Sequence, residues 1–551
     1  MKKLKIGILD LASRAPSRKM FSRMMRANLA SIMPQVVGVW CEEAGHAVRF
    51  VCYTGKEDLL DELPGDLDLL FISAFTRSAH LAYAISNMYQ QHGTVTVLGG
   101  PHARCYPDDS QRYFDYVLGF TDKALIEDVL RDCAPQRPGG GLFLSAAKQP
   151  ADLPSVRQRW KFITATIAKA PTRVKIVPMI GSLGCPYTCS FCTDSIVDYQ
   201  PLEYEQIRED LKFIRTNMAN PMVAWHDPNF GIRFNDYLSI VEEAAPNGSV
   251  PFLAETSLSL LSEKNSKRLG DAGCLAILPG IESWYEMGNK SGTGRLEGEE
   301  KVLQVSEQVN MILRHIPYIQ TNFVLGLDSD EGAEPFELTK QFIDLSPGAF
   351  PAYSLLSAFG EAVPQNIQLQ REGRILGFPF FFLDNNKSMN VRPKNYGWPE
   401  FYDHLIDLMK HSFSARTVYR RFQATDRPLA KIMNLVRAYS SEGFFRLQYH
   451  KKLRGLMDSD HNLRGYLEQK TDVVPDFYVD TITRSLGVFA AFLPEGGIEH
   501  DQNAYLKKTD RQTAAESRAA FVTREARSKE VRLAARIGNR GWAARVPLVN
   551  E

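Results

Sequence analysis

Short apolar runs alternating with amphipathic stretches occur in two successive series, and they restrict this chain more than any other feature. The first series is KIGILDL from Lys5, AVRFVCY from Ala47, LDLLFISAF from Leu67, TVTVLGGPHA from Thr94 and DYVLGF from Asp115. Each run is apolar on both faces, as a parallel strand covered by helices on either side must be. The segments between them, such as Ser78 to Gln91 and Lys123 to Asp132, read as helices. Residues 1–135 are therefore expected to form an α/β domain, a doubly wound, flavodoxin-like sheet. Such sheets take ligands at the carboxyl ends of their strands.

A connector rich in Pro and Gly, with Pro135, Pro138, Gly139, Gly140 and Gly141, reads as the start of a linker over 136–172. The second series, over 173–360, runs VKIVPMIG from Val174, MVAW from Met222, PFLAET from Pro251, CLAILPGIES from Cys274, YIQTNFVLGL from Tyr318 and FPAYSLLSAF from Phe350. Apolar residues at helical spacing lie between these runs: Ile207, Leu211, Ile214 and Met218, and again Val302, Val305, Val309 and Ile312. That count predicts a partial (β/α)6 barrel, short of the complete eightfold form. Over 361–500 the alternation gives way to helical stretches (Glu400 to Lys410, Leu429 to Tyr439, Phe477 to Leu486), predicting a mostly helical accessory domain. Residues 501–551 read as a charged tail.

Composition removes several classes. With 65 Lys and Arg against 64 Asp and Glu among 551 residues, no overall field favours a polyanion, so no nucleic acid partner is expected. Asp10 breaks the apolar start before a secretory segment develops. No apolar run approaches the roughly 18 to 20 residues that cross a bilayer, so no membrane span is expected and the location reads as cytoplasmic. The eight cysteines (41, 52, 105, 133, 185, 189, 192 and 274) stop at Cys274, unlike the spread of a disulfide-stapled secreted chain.

Three of them crowd into GSLGCPYTCSFC, immediately after the first run of the second series: Cys185, Cys189 and Cys192, spaced CxxxCxxC. A structural zinc site usually takes four protein ligands, and no CxxC or HxxxH partner lies nearby. A cubane iron–sulfur cluster held by three thiolates keeps one iron without a protein ligand, open to chelation by a small molecule.

At these residues the chain resembles the radical SAM superfamily, whose signature is CxxxCxxC with an aromatic residue before the last cysteine, here Phe191. The resemblance covers about 174–360 and implies a metal-binding motif holding a [4Fe-4S] cluster. S-adenosyl-L-methionine would be chelated at the open iron and cleaved to a 5′-deoxyadenosyl radical by an electron from a donor such as flavodoxin or ferredoxin. It also implies adenosylmethionine-binding roles for Asp227 and Asn229 in WHDPNFG and for Glu282 and Ser283 in GIES. Glu255 in AETS is expected to face the barrel interior and to join these adenosylmethionine-binding residues. The family's GxPxE-like turn is replaced by GLDSDEG, so Asp328 receives no role, and Cys274 reads as a small core residue.

The first domain resembles the cobalamin-binding domain that precedes the barrel in one branch of that superfamily. Ser73 closes the third run and Gly99 and Gly100 close the fourth, matching the serine and double glycine that admit the cofactor's nucleotide tail. The imidazole of the DxHxxG element found in other cobalamin proteins is missing, since Ala12 stands two residues after Asp10. Together these resemblances imply a C-methyltransferase acting on a small-molecule or natural-product substrate through the adenosyl radical and methylcobalamin. Cyclisation or rearrangement without methyl transfer is the alternative within the superfamily, and a non-catalytic iron–sulfur or zinc protein is the alternative outside it. No residue is assigned to acid–base or nucleophilic catalysis. FPFFF, from Phe378 to Phe382, reads as core.

Overall fold

A computed structural model describes residues 3–16, 30–136, 139–169, 175–285 and 292–500. The first sheet contains β1 (Lys5–Leu11), β2 (Ala47–Tyr53), β3 (Leu69–Ala74), β4 (Val95–Gly99), β5 (Tyr116–Leu118) and β6 (Leu142–Leu144). All are parallel, in the order β2-β1-β3-β4-β5-β6. Strand order switches direction at β1, so the loops leaving β1 and β3 run apart and open a crevice at the carboxyl edge. Register sets the contents of that edge: Asp10 lies beside Ser73, and Ser73 beside Gly99.

The expected linker over 136–172 is more than a connector. It supplies β6, which extends the first sheet to six strands, and the helix Val156–Ala168. Ser155 starts that helix with a capping box closed by Gln158, an arrangement that stabilises a helix start by about 1 kcal/mol. Leu142–Leu144 is only three residues long, too short to show a period beside a Gly-rich segment.

The second sheet follows chain order: β7 (Lys175–Met179), β10 (Pro221–Trp225), β11 (Phe252–Ala254), β12 (Cys274–Ile277), β14 (Tyr318–Leu325) and β15 (Phe350–Leu355), all parallel. These six parallel strands correspond to the six runs of the second series. The run at CLAILPGIES splits, however, because Pro279 cannot donate to a ladder; both halves pair with β14, β12 near its start and β13 (Gly280–Glu282) farther along it, and β12 alone also pairs with β11. A two-residue antiparallel ribbon, β8 (Ser182–Leu183) with β9 (Gln200–Pro201), closes the base of the cysteine loop.

The helical periods hold: Ile207, Leu211 and Ile214 are buried on helix Tyr204–Asn217, and Val302, Val305, Val309 and Ile312 on helix Gly298–Leu313. Beyond the barrel, helices Trp398–Ser412, Pro428–Ala438, Phe444–Ser459 and Asp476–Leu486 dominate. Phe378 and Phe380 to Phe382 are buried, as core residues should be. The charged tail expected over 501–551 lies outside the described residues. Among the described residues, no helix is long and apolar enough to cross a membrane.

Candidate active site between the sheet edge and the barrel

A cavity of about 510 Å³ lies where the two sheets present their carboxyl ends to each other. One wall is the edge of the first domain: Ala12 after β1, Ser73 and Phe75 at and after β3, Gly99 and Gly100 at the end of β4, and Gly119 to Thr121 after β5. The opposite wall comes from the barrel: Ile180, Leu183 and Gly184 leading into the cysteine loop, Asp194 and Val197 within it, and His226 and Pro228 after β10. Sequence spacing brought Ser73, Gly99 and Gly100 together correctly, and register shows why.

The two glycines differ. A Cβ on Gly99 would meet nothing within 4 Å, so its missing side chain leaves open cavity. Gly100 has φ of +90°, and its Cβ would stand 3.1 Å from the Ala74 backbone and from Ser73 Oγ, so the turn itself calls for glycine there.

Cys185 is buried, while Cys189 and Cys192 are partly exposed, and none of the three is in a disulfide. Among the described residues, no group of three His, Cys, Asp or Glu side chains forms a metal-holding set, so the thiols share a loop without forming one. The loop is firmly tethered. Asp227, at the end of β10, accepts the Gly181 N–H at 2.9 Å and the Ser182 hydroxyl at 2.7 Å, directly ahead of Cys185. Tyr237 donates its hydroxyl to the Gly181 carbonyl. Gly184 has φ of +62°, and a Cβ there would fall 2.3 Å from the Val197 carbonyl, so the ends of the loop approach closely. Arg104 of the first domain donates to the Thr193 carbonyl at 3.2 Å, and Gln365 N–H to the Ser190 carbonyl at 2.9 Å.

Asp227 is thus placed next to the cluster motif, as expected, but both its oxygens are taken by the protein. Burial pushes its carboxyl up to about 6, against the pull of the Gly181 N–H. Asn229 is buried, donates to Ser257 Oγ at 2.6 Å and keeps its Oδ1 without a partner. Glu255 follows β11 and is exposed, with its carbonyl accepting the Phe230 N–H. Glu282 has φ of +66° and folds its carboxylate back over Gly280, where a Cβ would meet Oε1 at 2.0 Å. Ser283 is buried, and its hydroxyl accepts the Tyr285 N–H at 3.1 Å.

No family model matches the chain. It is 27% identical over 319 residues to the bacteriochlorophyllide d C-8(2)-methyltransferase of Chlorobaculum tepidum, covering 54% of this chain and 67% of that protein. It is 24% identical over 375 residues to the bacteriochlorophyllide d C-12(1)-methyltransferase of the same organism, covering 66% and 79%. Among solved structures, the radical S-adenosylmethionine methyltransferase TsrM of Kitasatospora setae, with tryptophan substrate and a SAM analogue bound, aligns with a TM-score of 0.52 at 12% identity. That alignment covers 83% of this chain and all of TsrM. The chain has the fold of a radical SAM methyltransferase.

Within the radical SAM fold the residues present suit the groups it uses. Three cysteine thiols on one tethered loop at the carboxyl end of the first barrel strand match in type and number the donors that a [4Fe-4S] cluster with one open iron takes. The open space at Gly99, beside Ser73, suits a cofactor that needs close backbone approach. Sequence reasoning missed the tethering role of Asp227 and the placement of His226, although both lie in the WHDPNFG segment it singled out. Arg104 gave no signal, because its partner Thr193 lies in another domain. Cys274 is a buried core residue whose Sγ faces the Ala276 carbonyl, and burial pushes its thiol up to about 12.

Proposed function

We propose that this chain is a cobalamin-dependent radical SAM C-methyltransferase acting on a small organic substrate, with an electron donor of the flavodoxin or ferredoxin type. The carrying observation is the cavity whose one wall is the Ser73, Gly99 and Gly100 edge and whose other wall leads into Cys185. A cofactor seated against the glycines would face the loop that holds the cluster. Both relatives from Chlorobaculum tepidum and TsrM are methyltransferases, which supports this reading.

When bound, the cluster and adenosylmethionine supply a 5′-deoxyadenosyl radical, and cobalamin carries the methyl group. The chain's own residues have separate tasks. Cys185, Cys189 and Cys192 ligate iron, and Asp227 positions them through Gly181 and Ser182. Asn229 offers its unpartnered Oδ1 to a donor of adenosylmethionine. Glu255, Glu282 and Ser283, at the carboxyl ends of β11 and β13, line the ligand's side of the barrel. Ser73, Gly99 and Gly100 admit the cobalamin tail.

The test is anaerobic reconstitution with iron, sulfide and hydroxocobalamin, followed by turnover with the native substrate and quantitation of both adenosylmethionine products. Methyl transfer consumes two adenosylmethionines per product, so near-equal amounts of S-adenosylhomocysteine and 5′-deoxyadenosine are expected. Altered substrate with 5′-deoxyadenosine and no S-adenosylhomocysteine would establish cyclisation or rearrangement instead. Absence of any cleavage by reconstituted protein would return the chain to a binding role.

A further inference from the structure

Beside the cavity is a seam where the protein gathers positive charge without matching it. Arg14 follows β1, Arg77 follows β3, Lys387 lies on the segment that leaves the barrel, and Arg446 lies on helix Phe444–Ser459. Among the described residues, Asp384 is the carboxylate on which all four cations act electrostatically, while Glu442, ion-paired with Arg437, acts on Arg446.

The four are not equally satisfied. Arg14 donates to the Phe381 carbonyl at 2.8 Å, reaches Asp384 at 3.3 Å and lies 4.4 Å above the Phe381 ring. Arg446 is buried and donates to the Tyr353 carbonyl and, at 3.4 Å, to His450. Arg77 lies 5.9 Å over the Phe75 ring, and among the described residues neither its side chain nor that of Lys387 makes a hydrogen bond or ion pair, although the Lys387 N–H donates to the Asp384 carbonyl at 2.7 Å. Against the upward push of burial, the cations hold Asp384 below the ordinary carboxylate range. Burial, followed by the repulsion of Arg14, pushes the Lys387 ammonium down to about 7. Tyr449 and His450 also face the cluster, and Tyr353, Tyr402 and Glu442 face its Arg446 end.

Gathered, partly buried like charges are costly unless a counter-charge joins them, and Asp384 cannot serve four cations while Glu442 reaches only Arg446 and is already paired with Arg437. The position is also suited to a substrate. Phe75 belongs to the cavity wall, and Asn385, two residues before Lys387, accepts the Leu355 N–H at 2.6 Å at the carboxyl end of the last barrel strand. We infer that this seam binds an oxyanion carried by the substrate, a carboxylate or phosphate, with Lys387 and Arg77 as the groups that take it. The substrate's role here rests on the methyltransferase reading; the anion site itself does not.

The test is melting of the full-length protein with inorganic phosphate, against sodium chloride at matched ionic strength, for the wild type, Lys387→Met and Arg77→Met. Phosphate should raise the wild-type midpoint where chloride does not. Both variants should melt no lower than the wild type without phosphate, and should bind phosphate roughly 10- to 100-fold more weakly, the loss expected for a charged hydrogen bond. An absent wild-type response, an unchanged response in both variants, or a phosphate-free midpoint several degrees lower in Lys387→Met would each overturn the site. Competition between phosphate and hydroxocobalamin, whose own phosphodiester is the other source of an oxyanion, would overturn its assignment to the substrate. Because the assay needs no adenosylmethionine, cleavage to 5′-deoxyadenosine without phosphate binding sinks this inference alone. Phosphate binding without cleavage sinks the methyltransferase reading alone.

Discussion

Gly99→Leu separates the cofactor reading of the first domain from a purely structural one. A Cβ at this position meets no atom within 4 Å, so the leucine side chain projects into the 510 Å³ cavity and leaves its neighbours undisturbed. The unliganded fold should therefore change by no more than about 1 kcal/mol, since replacing a strand-end glycine also removes backbone freedom from the unfolded chain. A bound cofactor meets four carbons where it needs space, and forcing methylenes into a filled site costs about 1–3 kcal/mol. At 1.4 kcal/mol per decade, that is about 5- to 150-fold weaker binding. Gly100→Ala makes the converse control. Its φ of +90° and its 3.1 Å contacts place the cost on the fold, roughly 1–2 kcal/mol for a left-handed alanine. Hydroxocobalamin titration followed by absorbance, beside thermal melts without cofactor, measures both quantities. If Gly99→Leu binds cobalamin as tightly as the wild type, or melts several degrees lower in its absence, the reasoning from open space is refuted.

Replacing Cys185, Cys189 or Cys192 by Ala should abolish iron retention after reconstitution, measured by metal analysis, whereas Cys274→Ala should retain it. Asp227→Ala leaves the buried Gly181 N–H without its partner, so a stability loss of about 1–3 kcal/mol is expected, together with reduced cluster loading despite three intact cysteines. Asp227→Asn tests the charge. The folded carboxyl titrates at about 6 against 3.8 in the free residue, so the folded state binds the extra proton, and this group's contribution to stability grows as pH falls and is lost as pH rises through about 6. Denaturation midpoints of wild type and Asp227→Asn should therefore shift in favour of the wild type by about 1 kcal/mol between pH 7 and pH 5, and a pH-independent difference would contradict the burial of that charge.

Much of this architecture was readable because buried parallel strands announce themselves as apolar runs. Lys5–Leu11, Ala47–Tyr53 and Tyr318–Leu325 stand within or at the expected segments. The failures have local causes: β6 is three residues long, and Pro279 divides one run into two strands that pair with β14 one after the other. Motif spacing located the three cysteines and the glycine pair, since each is a local pattern. It was silent on what tertiary contact decides. The sequence does not show that Asp227 spends both oxygens on the turn before Cys185, that Glu255 is exposed, or that Arg14, Arg77, Lys387 and Arg446 meet across the whole length of the chain.

The cavity belongs to neither sheet alone, and this gives its occupant a mechanical role. A molecule that touches the Gly99 edge on one side and the approach to Cys185 on the other acts as a rivet between the two bodies, so occupancy and domain docking are thermodynamically linked. At a hundredfold excess over its dissociation constant such a ligand adds about 2.7 kcal/mol to the docked arrangement. Fragments divided near residue 170 should then associate more tightly with cobalamin than without it, and the first domain by itself should hold the cofactor only weakly.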